Sequence, residues 1–409
     1  MNRDEYILKL SHKNPKKRLK YTAKLGKLLK KDGERKSYRA CCGSIHSDYS
    51  FSPYTPSLAA YMAYNNGLSA AALIDTGTLA GGREFLAAAK NFGIAATVGV
   101  GYPTPLPKAY DILCNVYSRD YSRFIFLTAL GIPENGFDKM KSFLAEYRKE
   151  RARCNRRILQ KINTLFRGLG ALSYEEDVLP VSSAENGGTI TRSHLMFALA
   201  RRLIKMVGTG EPLIDYLTKV QRISLSSREE KLLLATPSRN YEYVLSAILH
   251  KKLKVDDENF TSKIHVFIGA TQAAGGLVFY PLSEREVIEG GTKFIDGMFA
   301  ALVRLGVNGI AYEAENVGEH LPYLERKAQE LGFLTVDGHE IHSPRDMFYT
   351  GNMTPSQEEG FYAVVGNAYL AGNDPMDAFC GPRTEKQFPL KEDRIRLFAE
   401  IGRKEALAD

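Results

Sequence analysis

Residues 44–102 alternate between apolar runs and helical runs, and this alternation leaves only a few folds open to the chain. Residues 70–74 form an apolar run that ends in a glycine-containing loop, and residues 94–101 form another after a second helical segment. Strand, loop, helix and strand in this order are typical of a βαβ unit. The proline-rich residues 103–107 predict a rigid loop without regular structure. The sequence therefore predicts an α/β fold built on a parallel sheet.

Three residues fall where predicted strands of this unit end: His46, Asp75 and Gly101. In parallel α/β sheets the carboxyl ends of the strands carry the functional groups. We therefore expect the functional site near these positions. The loop at 76–82 precedes a predicted helix, so its backbone N–H groups either hold an anion or simply connect strand to helix.

Three motifs here resemble those of the PHP superfamily, the metal-dependent phosphoesterases named for polymerase and histidinol phosphatase. The chain reads Ser-Ile-His-Ser at 44–47, Ile-Asp-Thr-Gly-Thr-Leu-Ala-Gly at 74–81 and Gly-Val-Gly at 99–101. The family has His-x-His-Ser/Thr, Thr-Asp-His-Asp-Thr-Leu-Ala-Gly and Gly-Val-Glu in these places. The resemblance implies an α/β fold of a definite kind, a distorted (β/α)7 TIM-like barrel of PHP type with a helical insertion.

Further segments are similar to family motifs in matching order over residues 38–345. Two belong to the helical insertion of one subgroup and three to the last barrel strands: 170–176, 191–199, 273–281, 306–311 and 334–342. We expect five parts along the chain: a basic N-terminal extension (1–37), a first part of the barrel (38–136), a helical insertion (137–260), a second part of the barrel (261–345) and a C-terminal extension (346–409).

The family holds three metal ions with nine ligands at the mouth of the barrel. The resemblance places five of these ligands on residues that can coordinate, namely His46, Asp111, His194, Glu340 and His342. The other four fall on residues without a suitable charge, namely Ser44, Phe51, Thr76 and Gly101. The five remaining ligands are divided among the three metals, so no metal keeps a full set. A site that loses its cations is expected to lose its carboxylates as well, because buried acids without cations would repel one another.

We therefore expect at most one or two divalent ions (Zn, Mn or Fe), or none. One hypothesis is a single-metal site formed by His46, His194, Glu340 and His342, with help from Asp111 or His339. The alternative is that these residues are hydrogen-bonded groups at the rim of the barrel. The sequence alone leaves both open.

Candidate groups for a phosphate or another anion lie at the same predicted rim. Asp75, Thr76 and Thr78 belong to the loop after the second strand. Tyr280 replaces the histidine of the family's His-Pro motif, and His339 lies three residues before His342. No nucleophile elbow, P-loop or HExxH motif occurs, so no residue is assigned a catalytic role.

The resemblance and the charge distribution together leave three possible functions open. The first is a divergent PHP-domain protein that keeps a phosphate- or anion-accepting pocket, with weak or absent hydrolysis. The second is an active metal-dependent phosphoric ester hydrolase that uses one or two metals on nucleotides or other small phosphate esters. The third is a nucleic-acid-associated interaction protein that uses the basic N-terminus. The partner expected in the first two is a phosphorylated small molecule or nucleotide.

The net charge of +8 is concentrated at the N-terminus. Residues 1–39 contain 14 Lys and Arg against 4 acids, so the rest of the chain has a net charge of about −2. This segment is either an arm for nucleic acid or a solvated helix, because four leucines occur among the lysines of residues 15–31.

Cysteine use and hydropathy bear on localisation. Five cysteines include no CxxC pair, which favours a reducing, cytoplasmic environment. No 18-residue apolar run and no apolar signal-peptide core occur, so we expect a cytoplasmic protein with no membrane partner.

Overall fold

The computed structural model describes residues 2–32, 41–113, 124–255, 263–282, 284–343, 346–348 and 353–407. The chain divides into two compact units. The first comprises Met1–Ala145 together with Thr261–Asp409, and the second comprises Glu146–Phe260. The predicted division into five parts stays a prediction. Within the described residues, no helix is both long and apolar enough to cross a membrane.

The first unit is built around a mixed eight-stranded sheet. Its strands are β1 (Cys41–Ile45), β2 (Ala70–Thr76), β3 (Ala95–Pro105), β4 (Phe124–Leu130), β5 (Leu277–Pro281), β6 (Gly309–Tyr312), β7 (Leu334–Asp337) and β8 (Glu340–Ile341). The order across the sheet is β7-β6-β5-β4-β3-β2-β1-β8. β4 is antiparallel to both neighbours, and the other pairs are parallel.

Helices belong to both units. The helices are α1 (Arg3–Lys9), α2 (Pro15–Asp32), α3 (Pro56–Asn65), α4 (Gly82–Phe92), α5 (Phe137–Leu165), α6 (Arg192–Val207), α7 (Glu211–Asp215), α8 (Ser227–Ala235), α9 (Ser238–Lys252), α10 (Ile264–Ala273), α11 (Glu284–Leu305), α12 (Ala314–Val317), α13 (Leu321–Glu330), α14 (Pro355–Asn373), α15 (Pro382–Gln387) and α16 (Lys391–Leu407). In the first unit, helices such as α3, α4 and α14 pack against the sheet. α6 to α9 belong to the second unit, whose core is formed by leucine and isoleucine side chains such as Leu195, Leu245 and Leu249.

The two ends of the sheet meet. β7 and β8 lie at opposite ends of the strand order, yet only Gly338 and His339 separate them in the chain. The sheet must therefore curl until its last strand returns to β1. Gly43 of β1 lies against β7, where a Cβ atom would be 2.8 Å from the carbonyl oxygen of Asp337. The predicted α/β barrel-like fold is confirmed.

The proline-rich segment is not the loop that the sequence predicts. β3 continues to Pro105 and pairs antiparallel with β4 over this stretch. Proline cannot donate to a strand ladder and is tolerated at sheet edges. β2 ends at Thr76 opposite Gly101, so beyond Gly101 β4 is the sole ladder partner of β3 among the described strands. The prolines occupy this local edge.

The C-terminal region, which carries no recognised motif, contributes to the core of the first unit. Residues 360–367 of α14 are all buried, as expected of a helix surrounded by protein on every side. α14 and α16 approach each other through glycines: a Cβ atom on Gly366 would lie 2.0 Å from the carbonyl oxygen of Phe398, and one on Gly402 would lie 2.0 Å from that of Tyr362. Close backbone contact therefore fixes this helix pair.

Gly366→Ala should destabilise the protein by about 1–3 kcal/mol, because the new methyl group meets backbone atoms that can move only by shifting α16. Gly269→Ala in α10 is the matched control, since a Cβ atom there meets nothing within 4 Å. That change should stabilise the helix by up to about 1 kcal/mol. Urea unfolding of both variants measures the difference. Equal midpoints would contradict the close packing of α14 and α16.

Candidate metal centre

The parallel pairing of β1 with β8 brings two histidines together. In this pair Ser44 lies opposite Glu340 and Ile45 opposite Ile341. The backbone N–H of His46 then donates to the carbonyl oxygen of Ile341 over 3.0 Å. His46 and His342, which directly follow the two strands, stack with ring centroids 3.9 Å apart and ring planes 18° apart.

Glu340 completes a group of three possible metal ligands. The Nε2 atom of His342 donates to Glu340 Oε2 over 2.7 Å. One donor atom from each of His46, Glu340 and His342 lies within 4.8 Å of the others, and no other group of three or more such residues is found in the described part of the chain. Two imidazoles and one carboxylate are also the protein ligands of many catalytic zinc sites. The donor set thus fits one divalent cation.

The protonation of His46 suits metal binding. Its side chain is buried, with 3% of its surface exposed. Burial, together with the nearby charge of His342 and only partly offset by Glu340, lowers the pKa of His46 to about 3. The imidazole is therefore neutral at physiological pH, which is the form that coordinates metals.

Glu340 and His342 stabilise each other's charged forms. Burial alone would raise the pKa of Glu340, but the hydrogen bond from His342 and the surrounding imidazoles lower it to about 2. Burial likewise opposes the charge on His342, whereas the hydrogen bond to Glu340 and the charges of Glu340, Asp346 and Asp75 raise its pKa above the usual value. A cation that binds here competes with the proton on His342.

Asp75 anchors the loop that follows His46. Its buried carboxylate accepts hydrogen bonds from the Ser47 N–H (2.8 Å), the Ser47 hydroxyl (2.6 Å) and the Ser50 hydroxyl (2.6 Å). Burial raises the pKa of Asp75, against the effect of these hydrogen bonds. A carboxylate engaged by three donors is suited to holding the loop, and the role of Asp75 in anion binding stays a prediction.

A second carboxylate holds the turn after His342. Asp346 accepts the backbone N–H groups of His342 (2.8 Å) and Ser343 (2.7 Å) through the same oxygen. Outer partners of this kind orient metal ligands and are functionally important. The sequence analysis missed Ser47, Ser50 and Asp346. Their only signal is proximity in sequence, since each lies within four residues of a predicted ligand.

Two predicted metal ligands lie outside this group. Asp111 is exposed on a short 3-10 helix, Lys108–Leu113. His194 is buried in the second unit, where its Nδ1 accepts the backbone N–H of Thr191 over 3.0 Å. Burial lowers the pKa of His194 to about 3. A metal-binding role for either residue stays a prediction.

The remaining predicted anion-binding residues are dispersed. Thr78 is buried and accepts the Ala80 N–H over 3.1 Å, while Thr76 is half-buried at the end of β2. The buried hydroxyl of Tyr280 donates to the Leu113 carbonyl over 3.3 Å. His339 Nε2 lies 2.9 Å from the Met347 carbonyl oxygen, and its Nδ1 lies 4.0 Å from a Glu313 carboxylate oxygen. Their role with an anion stays a prediction.

Asp337, at the end of β7, is a functional candidate that sequence reasoning missed. Burial raises its pKa to about 6, and the charges of Glu313 and Glu315 add to this effect against the hydrogen bond and charge of His339. A carboxyl group with this pKa can accept and release a proton near neutral pH.

The space that the family's bridging glutamate would need is filled. Gly101 takes that position in the resemblance, and a Cβ atom on it would lie 2.6 Å from the ring of Phe126. Phe51, which takes the position of another family acid, has a φ of +88°, a backbone conformation that a phenylalanine rarely adopts. Aromatic residues thus stand at two of the places where the resemblance implies carboxylates.

Two solved structures share the architecture of this chain. A provisionally assigned metal-dependent phosphoesterase from Bifidobacterium adolescentis aligns with a TM-score of 0.53 and 19% identity, over 80% of this chain and 96% of that chain. The chain has a metal-dependent phosphoesterase-like fold. An amidohydrolase from Chromobacterium violaceum, solved with bound sulfate and no metal, aligns with a TM-score of 0.50 and 16% identity, over 77% of this chain and 92% of that chain.

At these identities the likeness establishes the fold alone. A comparison with protein-family models returns no match, and a comparison with curated proteins returns none either. The phosphoesterase-like fold predicted from the motifs at 44–47, 74–81 and 99–101 is therefore confirmed by structure, and the chemistry must be argued from the residues of the site.

Proposed function

We propose that the protein is a divergent PHP-type phosphoesterase relative that holds one divalent cation (Zn, Mn or Fe) and accepts a phosphate ester beside it, with weak or absent hydrolysis. One observation carries the proposal: the stacked and hydrogen-bonded group of His46, Glu340 and His342 at the adjoining ends of β1 and β8. A phosphorylated small molecule or nucleotide is the proposed partner.

The strand arrangement supports a seven-stranded barrel of PHP type. β7 and β8 are separated by two residues and pair with opposite ends of the sheet. If β7 and β8 are counted as one interrupted strand, the sheet closes as a barrel of seven strands. The helical second unit then corresponds to the insertion that the resemblance implies.

A bound cation would supply Lewis-acid polarisation of a phosphoryl oxygen. His46 offers a neutral imidazole, and Glu340 offers the negative charge that offsets the ion. Asp75 fixes the loop beside His46 through Ser47, and Asp346 fixes the turn beside His342. These contacts hold the ligands in place before any ion binds, which favours affinity.

The proposal of weak hydrolysis rests on what the site lacks relative to the family. Phosphoryl transfer relies on several positive charges around the transferred group. The Phe126 ring fills the space of the bridging glutamate at Gly101, and one carboxylate is present in the group of three ligands. A single ion with these ligands stabilises the transition state less well than a three-metal cluster.

Retention of an anion pocket has separate support. A solved protein of similar fold, the Chromobacterium violaceum amidohydrolase, carries sulfate without metal. In this chain, α4 begins at Gly82, directly after the predicted anion loop, so its first backbone N–H groups could meet a phosphate. Thr76, Thr78, Tyr280 and His339 remain the proposed side-chain contacts.

An active phosphoesterase is the second candidate function, and a separate observation favours it. Two histidines and a glutamate leave coordination positions for water and substrate in catalytic zinc sites. Asp337, with a pKa of about 6, is then the candidate general acid or base. The substrates would be nucleotides or small phosphate esters.

We propose a reducing, cytoplasmic compartment for the protein. The four cysteines that the structure describes are all unbridged: Cys41, Cys42, Cys154 and Cys380. Cys41 and Cys42 are adjacent and buried, and burial raises the pKa of both thiols, which makes them unreactive small hydrophobic residues.

Cation affinity should rise with pH. Because the pKa of His342 is raised, an ion that binds below this pKa must displace a proton. Below that pKa, each pH unit should change the affinity about tenfold, and above it the affinity should level off. Isothermal titration calorimetry with Mn²⁺ in two buffers of different ionisation enthalpy measures the released proton. Binding without proton release below pH 6.5 would contradict the role of His342.

Three measurements on the full chain test the proposed function. Elemental analysis of protein purified without chelator should find about one divalent ion per chain, as the three-residue donor set implies. Calorimetry with AMP should show binding that strengthens with Mn²⁺, and p-nitrophenyl phosphate should be hydrolysed slowly or not at all. Rapid, metal-dependent hydrolysis would support the active enzyme instead. Three ions per chain, or no binding of metal and AMP, would overturn the proposal.

A further inference from the structure

α2 presents a row of lysines to solvent. Seven of its lysines are exposed: Lys30 and the six residues Lys16, Lys17, Lys20, Lys24, Lys27 and Lys31. From Lys17 onward the spacings alternate between three and four residues, so the side chains follow one face of the helix. With a rise of 1.5 Å per residue, the row from Lys17 to Lys31 is about 21 Å long. We call these six residues the lysine stripe.

The opposite face of α2 packs against α4 within the first unit. Thr22, Leu25 and Leu29 are buried on this face. Asn91 of α4 donates to the Thr22 hydroxyl over 2.8 Å, and a Cβ atom on Gly26 would lie 2.2 Å from the Asn91 carbonyl oxygen. Residues 15–32 therefore form a surface helix packed against α4, and a nucleic-acid role for this segment stays a prediction.

The one arginine of α2 does not belong to the stripe. Arg18 is buried and forms a two-point ion pair with Glu84, with N–O distances of 2.7 and 2.6 Å. No lysine of the stripe is paired with a carboxylate in the described regions of the chain. The stripe therefore keeps its full positive charge towards solvent.

We propose that the lysine stripe binds the phosphate backbone of double-stranded nucleic acid without sequence preference. A duplex carries one negative charge per about 1.7 Å of its axis, so a row of about 21 Å faces several phosphates at once. Lysine acts as a point charge on phosphates, and base edges are read mainly by arginine, asparagine and glutamine. The stripe contains none of these, which is why no sequence preference is expected.

The chemistry of the surface favours duplexes over two alternatives. Single strands are held largely by stacking on aromatic side chains, and the stripe contains none. Helices that bind a membrane surface insert their apolar face into the lipid. Here Leu25 and Leu29 are buried within the protein, with 0% and 7% of their surface exposed, so that face is not available to lipid.

Fluorescence anisotropy of the full chain with a labelled 20-base-pair DNA duplex of arbitrary sequence tests the proposal. Binding should weaken with salt, with a slope of log K against log[salt] of about −4 to −5 for five contacts. Replacing Lys17, Lys20, Lys24 and Lys27 by Glu should lower the affinity at least 100-fold at low salt and flatten the slope. Replacing the same four by Gln should lower it less.

The control variant changes four exposed lysines elsewhere, Lys141, Lys205, Lys231 and Lys386, to Glu, which gives the same net charge. It should keep most of the affinity. An equal loss in both variants would show a net-charge effect and overturn the proposal. So would absence of wild-type binding at 50 mM salt, or tighter binding to phosphatidylserine vesicles than to the duplex. Circular dichroism confirms folding, and Mn²⁺ binding, which should be unchanged, separates this surface from the proposed cation site.

Discussion

Glu340→Gln should reduce the affinity for Mn²⁺ or Zn²⁺ more than 100-fold. Changes beyond the ligands themselves already cost about 10- to 100-fold, and Glu340 supplies the charge of the three-residue donor set. Glutamine keeps the size of the side chain while removing the charge. Calorimetric titration at pH 8, where proton competition at His342 is weakest, gives the affinity.

A second readout of this variant separates a lost ligand from a disturbed fold. The hydrogen bond and charge of Glu340 raise the pKa of His342 against the effect of burial. Without them the pKa of His342 should fall below its usual value, which an NMR titration of its ring protons detects. Glu330→Gln, on the exposed face of α13, is the control and should change neither quantity. Unchanged cation affinity in Glu340→Gln would remove Glu340 from the site.

Glu84→Gln should cost about 3–5 kcal/mol of folding stability, because it leaves the buried Arg18 charge without its partner. Both side chains are almost fully buried, with 3% and 5% exposed. The loss extends to Ser57, whose N–H and hydroxyl both donate to Glu84. Urea unfolding followed by circular dichroism measures the change.

The neighbouring residue provides the control. Arg83 forms an ion pair with Glu134 in which both side chains are more than half exposed, at 55% and 60%. Arg83→Gln should therefore cost less than about 1 kcal/mol. Pairing Glu84→Gln with Arg18→Met should recover much of the loss, since the unpaired buried charge is then absent. A small effect of Glu84→Gln alone would mean that Arg18 finds another partner.

The sequence predicts the strands, and singles out residues that the structure brings together, where the local hydrophobic pattern and the ligand-type residues occur in the same segment. The alternation over residues 44–102 predicts parallel strands, and the structure has β1, β2 and β3 there in parallel neighbouring order. The family motifs also point to His46, Glu340 and His342 as candidate ligands. The motifs assign these three residues to two different metals. In the structure, the pairing of β1 with β8 brings the three side chains together.

Other features depend on contacts that no local pattern contains. The proline-rich end of β3 is a strand because β2 stops at Thr76 and leaves an edge free. α14 is central because Gly360 and Gly366 admit neighbouring backbone atoms at close range. Asp75 looks like an anion-loop residue in sequence, but its neighbours Ser47 and Ser50 donate to it from a different loop. Pairings of this kind are decided in three dimensions.

The position of the candidate metal centre has a mechanical consequence. His46 follows the first strand of the sheet, and Glu340 and His342 belong to or follow the last. An ion held by all three would act as a non-covalent cross-link across the seam of the barrel. The cross-link would close a loop that contains most of the polypeptide. Cross-links that close long loops reduce the conformational entropy of the unfolded chain the most. Loading with metal would then govern how cooperatively the whole first unit unfolds.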